Sequence, residues 1–195
     1  MRKVKIAYVV NSLATGGAER LVVDLAIEAR RQGHEPTVLT LGRHQGIPAD
    51  DAFEAGLRVV ELGSNIKDPR ALIGLRAHTR TADIVHAHLF PAQYWVSMLP
   101  NAKVFTEHST WNRRMNRTHW RPVERQVYGR YQQLIAITPG VKEALVDHLQ
   151  SAALESRMTV VSNGIRDEFF RVPLSSEPRY TGLNLVAIGS LRPVK

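Results

Sequence analysis

Short β-branched and aliphatic runs alternate with segments of helical periodicity along this chain, and this alternation constrains the fold more than any other feature. Residues 4–10, 36–41, 57–62, 82–87, 103–106, 133–137 and 158–162 read as seven buried strands, bounded by turn residues. Between them, residues 17–32 read as a helix. Leu21, Val22, Leu25 and Ala26 form its apolar stripe, and Gly33 is placed to end it. Residues 68–81 are helical, with Pro69 in the first turn. Residues 139–149 form a further helix, with Thr138 as its N-cap. Continuous apolar strands alternating with helices imply a parallel sheet covered on both faces. With right-handed crossovers, that is an α/β, Rossmann-like, doubly wound domain.

Composition narrows the setting. The chain has 195 residues, 44% of them hydrophobic, which suffices for one sizeable core. No apolar run approaches the roughly 20 residues of a membrane span. The opening MRKVKIAYVVNSL reads as a first strand rather than a signal peptide. Cysteine is absent, which excludes disulfides and thiolate metal sites and points to a reducing, cytoplasmic compartment. The net charge of +8 points to an anionic partner without choosing one.

In an open parallel sheet, ligands bind beyond the carboxyl ends of the strands. There the sequence places Asn11 with Gly16 and Gly17, then His86 and His88, Glu107 and His108, Thr138, and Asn163 with Gly164. Gly16 and Gly17 open the first helix, where bare backbone N–H groups suit an anionic oxygen. The same pair would also suit a turn that needs glycine conformations. The stretch is neither GxGxxG nor a P-loop. His86 and His88 lie two apart on a strand and so share a face. With Glu107 or His108 they compose a possible metal set, against the plainer reading of hydrogen bonding within a polar cleft. His108 is placed to donate a hydrogen bond to a substrate hydroxyl or to stabilise developing charge, against the plainer reading of a loop histidine. There is no nucleophile elbow, and Asp50 and Asp51 read as a solvated loop rather than a catalytic pair.

Residues 111–131 hold six arginines against one glutamate, with Trp111, Trp120, Tyr128 and Tyr131 interleaved. Such a segment suits a membrane interface, single-stranded nucleic acid, or simply a solvated helix whose aromatic stripe packs on the sheet. Residues 171–183, rich in Pro and Ser, read as a linker, and 184–195 as the first strand of a second domain, against the plainer reading of a last strand added to the one sheet. Residues 1–170 are then the first domain.

These blocks together resemble the family 4 glycosyltransferases. NSLATGGAERLVVDLAIEARRQGHEPTVLTL is similar to that family's N-terminal signature. DIVHAHLF, VFTEHST, LIAITPGVKEAL and VVSNGI are similar to later blocks, in the same order. LVAIGSLRPVK is similar to the opening of the family's second domain, with Gly189, Leu191 and Lys195 matching and Ser190 standing where arginine is common. The resemblance implies the N-terminal, acceptor-side half of a two-domain GT-B fold. It implies a retaining hexosyltransferase that uses a UDP- or GDP-linked sugar, with no metal or other cofactor. Gly16 and Gly17 would lie against the donor diphosphate. His108 would contact the transferred sugar, and Lys195 would neutralise the leaving group. Asn11, His88, Glu107, Thr138 and Asn163 would line the cleft. The acceptor would be a glycan or a lipid-linked sugar of polysaccharide biosynthesis. Arg113, Arg114, Arg117 and Arg121 would grip its phosphate, or hold the protein peripherally on the inner face of the membrane. Nucleic acid is not expected as a partner. The nucleotide pocket and an E-x7-E carboxylate pair belong to the second half, so this chain alone is expected to be inactive. The alternative is a non-catalytic module that binds a glycan or a lipid phosphate.

Overall fold

A computed structural model describes residues 2–43, 46–63, 65–66, 68–112, 114–171 and 185; for residues 168 and 169 it describes the backbone alone. The chain divides into two units, residues 1–165 and 166–195. The second contributes one described element, a 3-10 turn at Asp167–Phe170. Residues 172–184 and 186–195, which hold nearly all of the expected linker and of the strand expected at 184–195, including Gly189, Leu191 and Lys195, lie outside the described residues, as does Arg113.

The first unit runs β1 (Lys5–Val10), α1 (Gly17–Arg31), β2 (Glu35–Thr40), α2 (Ile47–Glu54), β3 (Arg58–Glu61), α3 (Arg70–Thr79) and β4 (Ile84–His88). It continues with α4 (Ala92–Ser97), β5 (Ala102–Glu107), α5 (Arg121–Gly129), β6 (Gln133–Ala136), α6 (Pro139–Leu149), α7 (Ala152–Glu155) and β7 (Met158–Val160). All neighbouring strands are parallel, in the order β3-β2-β1-β4-β5-β6-β7. The sheet grows outward from β1 in one direction, then returns to place β4 on its other side. The topological switch point therefore falls between β1 and β4.

Strand alternation builds two cores. Tyr8, Val10 and Val38 face one side and pack with Val22, Val23 and Ala26 of α1 and Ala49 and Ala52 of α2. Ala7, Val9, Leu39, Val85, Ala87, Phe105 and Leu134 face the other and pack with side chains of α3 to α7. Each buried valine or leucine contributes about 1.5–3 kcal/mol relative to an exposed one. Helix α1 stops where the sequence predicts. Gly33 takes φ +87°, and the N–H groups of Gly33 and His34 bond back to Arg30 and Ala29. Thr138 caps α6, its hydroxyl accepting from the Val141 N–H at 3.2 Å.

The loop expected around Asp50 and Asp51 is instead α2, with Pro48 in its first turn. Asp51 is engaged there in an ion pair with Arg20 of α1. Helix α4 forms where sequence patterning predicts none, whereas α5 is the helix with a packed aromatic stripe that was one reading of residues 111–131, with Tyr128 buried against the sheet.

Candidate functional site

The switch point sets the crevice. The loops after β1 and β4 leave the sheet side by side, and the loop after β5 follows on the next strand. Strands lie about 4.8 Å apart. Gly16 and Gly17 thus belong to a loop two strand spacings, roughly 10 Å, from the end of β5 that carries His108. Thr138 follows β6, and Asn163, which is exposed, follows β7. The sheet order lines these residues along one edge, with His108 between the glycine turn and Thr138.

Gly16 is extended (φ −169°, ψ 156°), and no side chain caps α1. Neither Gly16 nor Gly17 takes the left-handed conformation, in contrast to Gly33, Gly46 and Gly56. A Cβ on Gly17 would meet no atom within 4 Å, and the nearest atoms to one on Gly16 would be those of the movable Glu19 carboxylate. Backbone conformation does not require glycine here, and neither does packing within the chain. The first N–H groups of this 15-residue helix carry no side-chain cap, and the Glu19 carboxylate lies beside Gly16 in the first turn.

The histidines form a ladder on one face. The ring centroids of His86 and His88 are 4.2 Å apart, those of His88 and His108 5.3 Å, and Tyr8 flanks His86 at 5.7 Å. His86 Nε2 bonds Thr106 Oγ1 at 2.8 Å, and His88 Nδ1 bonds His108 Nε2 at 3.1 Å. Burial drives all three towards the neutral form. His86 is held at about 3 by burial and then by His108, and burial holds His108 at about 4. His88, with no exposed surface, is pushed well below 6.5 by burial and then by His86 and His108. His88 Nε2 has no partner among the described residues. A buried N–H donor is seldom left unpaired. That favours the tautomer in which His88 Nδ1–H donates to His108 Nε2. His108 then keeps its own N–H on Nδ1 as a donor.

The remaining sequence candidates are placed differently. Asn11 is a staple: its Nδ2 donates to Phe90 O at 2.8 Å, and its Oδ1 accepts from Ala92 N at 3.3 Å. That fixes the turn after β4, where Leu89 sits at φ +66°. Glu107 points to the opposite face from His86 and His88, as its parity with Phe105 dictates. It is 8% exposed and accepts from Tyr128 OH at 3.0 Å and from the His108 N–H at 3.2 Å. Burial pushes its carboxyl pKa up, against the hydrogen bond from Tyr128. Glu107 therefore braces the backbone of His108 from beneath instead of joining the histidines as a ligand. Among the described residues no group of three or more histidine, aspartate or glutamate side chains is arranged to hold a metal ion.

The basic segment is divided in its roles. Tyr128 and Tyr131 are fully buried, whereas Trp111 and Trp120 are 55% and 41% exposed. Arg117 is exposed. Arg121 donates to Gln150 Oε1 at 2.7 Å. Arg114 is not a free cation: its Nε donates to Glu124 Oε1 at 2.6 Å, and its guanidinium lies 4.3 Å over the Phe90 ring. The reason is Glu124, which has no exposed surface and was not a candidate in the sequence. It also accepts from Tyr94 OH at 3.0 Å and pairs with His148 Nε2 at 2.5 Å. One carboxylate thus ties the 108–120 loop, α4, α5 and α6 together. Its sequence signal was a lone acid among six arginines, in register with Tyr128 and Tyr131.

The profile of Glycosyltransferase Family 4 matches residues 15–169 of this sequence. The chain belongs to that family. No curated sequence matches it. Among solved structures, Anabaena Alr3699/HepE in complex with UDP and glucose aligns with a TM-score of 0.70 at 15% identity, over 86% of this chain and 46% of that one. A glycosyltransferase from Rickettsia africae aligns at 0.64 and 20% identity, over 90% and 47%. A putative UDP-N-acetylglucosamine 2-epimerase from Listeria monocytogenes aligns at 0.55 and 14%, over 81% and 45%. These likenesses establish the α/β, Rossmann-like fold of GT-B proteins. That fold carries more than one chemistry. The family 4 chain spans a little under half the length of the structures it matches. Among the described residues no helix is long and apolar enough to cross a membrane.

Proposed function

We propose that this chain is the acceptor-side, N-terminal half of a retaining glycosyltransferase that takes a hexosyl group from a UDP- or GDP-linked sugar. The observation that carries the reading is the pairing of an uncapped helix N-terminus with a neutral, buttressed histidine along one sheet edge. The N–H groups at Gly16 and Gly17 suit a diphosphate, since the dipole and the free donors both favour negative charge. His108 suits the sugar. An imidazole held neutral down to about pH 4 adds no positive charge beside an anomeric centre that becomes cationic in transfer. His88 fixes its tautomer, Glu107 supports its backbone, and its free N–H is a donor for a sugar hydroxyl. Lys195 is proposed to neutralise the leaving diphosphate, and Thr138 and Asn163 to line the cleft. No resident metal or other cofactor is invoked.

The nucleotide pocket belongs to the other half, so this chain alone is expected to turn over poorly: one wall of a cleft neither orients both substrates nor excludes water. The acceptor is proposed to be a glycan or lipid-linked sugar. The exposed Trp111, Trp120 and Arg117 would rest peripherally on anionic lipid at the inner face of the membrane, where Arg113 would join them. Arg114, being paired, would act through the loop it holds.

The test is an NMR titration of the chain with UDP-glucose and with a GDP-linked hexose. Saturable shifts at the Gly16, Gly17 and His108 amides are expected. A response confined to added oligosaccharide, with none to either nucleotide sugar at millimolar concentration, would instead identify a glycan-binding module.

A further inference from the structure

The opposite edge of the sheet carries a second feature, independent of the glycosyltransferase reading. An open cavity of about 830 Å³ lies at the amino ends of β5 and β6, within the roughly 300–1,000 Å³ usual for small-molecule sites. Its lining includes Arg76, Arg80, Lys103 and Arg130, and no aspartate or glutamate. Lys103 is 6% exposed. Its ammonium donates to Leu99 O at 2.7 Å and to Asn101 O at 2.9 Å. An ammonium has three donors, so one remains.

The plain explanation is that these cations answer helix dipoles, because Thr79, Ser97 and Gly129, the last residues of α3, α4 and α5, also line the cavity. The magnitudes do not balance. Three helix C-termini supply about −1.5 charges at most, at roughly −0.5 each. Four cations supply +4. The Lys103 pKa is lowered, first by burial and then by the neighbouring Arg130 charge. Arg76 and Arg80 are exposed and have no ion pair or hydrogen bond among the described residues.

We propose that this cavity is a binding site for a phosphate-bearing anion, with Lys103 at its base and Arg76, Arg80 and Arg130 around its rim. Such an anion takes up the spare ammonium donor and cancels the uncompensated charge. The fork geometry of the arginines matches phosphate oxygens.

The 195-residue protein is titrated with inorganic pyrophosphate and followed by amide NMR. Saturable shifts at Asn101, Lys103, Gly129 and Arg130 are expected, with the Lys103 titration moving to higher pH in the complex. Arg76→Ala with Arg80→Ala, both exposed and free of partners, should weaken binding at least tenfold while the melting curve stays in place. A parallel arm uses phosphatidylcholine vesicles with and without phosphatidic acid. Vesicle binding that pyrophosphate displaces, and the double variant loses, assigns the site to a lipid headgroup. Pyrophosphate binding without vesicle binding assigns it to a soluble phosphate. Equal affinity of the double variant for pyrophosphate, or shifts spread alike over Arg117 and the rest of the basic surface, overturns the proposal. No nucleotide sugar enters the experiment and no residue of the carboxyl edge is altered, so its failure leaves the glycosyltransferase reading untouched.

Discussion

Removing the Glu124 carboxylate is the sharpest structural perturbation available. Glu124→Ala strips a partner from Arg114, whose side chain is 18% exposed, and from His148, at 4%. It also strips the acceptor from Tyr94 OH. Breaking a buried pair by deleting one partner costs about 3–5 kcal/mol. Arg114 keeps some access to water, so we take the lower end, about 3 kcal/mol. For a domain of this size each kcal/mol moves Tm by about 2–4 °C, which gives a fall of about 6–12 °C. Glu124→Gln should cost less, about 1–2 kcal/mol, because its carbonyl still accepts from Arg114 and its amide can donate to His148. Thermal and urea unfolding of the three proteins measure both. A double-mutant cycle between Glu124 and His148 then isolates their coupling, for which at least about 1 kcal/mol is expected. A loss under about 1 kcal/mol for Glu124→Ala would refute the reasoning, since it would mean that the carboxylate is not the tie between the four elements.

Three further outcomes follow from the same geometry. The folded pKa values of His86 and His108 lie below that of a free histidine, at about 3 and about 4, so below about pH 6.5 the unfolded chain binds protons that the native one refuses. Stability should fall with pH through that window, by up to about 1.4 kcal/mol per pH unit for each histidine. His86→Gln should flatten this acid limb relative to wild type in urea titrations at pH 7 and pH 5; an unchanged slope would show that His86 does not contribute. Thr138→Ala removes the α6 cap and should cost about 1 kcal/mol in the same assay. Arg114→Lys keeps the charge but loses the planar fork stacked over Phe90. It should destabilise by about 1–2 kcal/mol, and full retention of stability would remove the stacking from the account.

Much of the sheet was readable because buried parallel strands are continuous apolar runs. All seven strands fall within a residue or two of the expected bounds. The helices were less legible for separate reasons. The six residues of α4 are too few to show a period. Helix α2 carries Asp50 and Asp51, whose charge reads as solvent, although Pro48 was a start signal. Over residues 121–131 the arginines left a partner outside the chain open beside the reading of a packed helix, and Glu124, Val127, Tyr128 and Tyr131, buried at helical spacing, bear out the packed helix. At the candidate site, periodicity placed His86 and His88 on one face and put the glycine turn at a helix start. It could not show that Glu107 turns the other way against Tyr128, because α5 is distant in sequence. Nor could it show that Asn11 is spent on the β4–α4 turn. Partners across the fold decide such roles, and local pattern does not record them.

The central claim is that the sheet edge carrying Gly16, Gly17 and His108 is where a sugar is transferred. It is tested most directly by turnover of a two-domain enzyme that contains this chain, measured as nucleoside diphosphate release from a panel of UDP- and GDP-linked sugars, for wild type and His108→Ala. The account predicts a loss of at least about 100-fold in kcat for the variant, with its melting temperature and nucleotide affinity retained. Turnover within about threefold of wild type would contradict it and remove His108 from the mechanism.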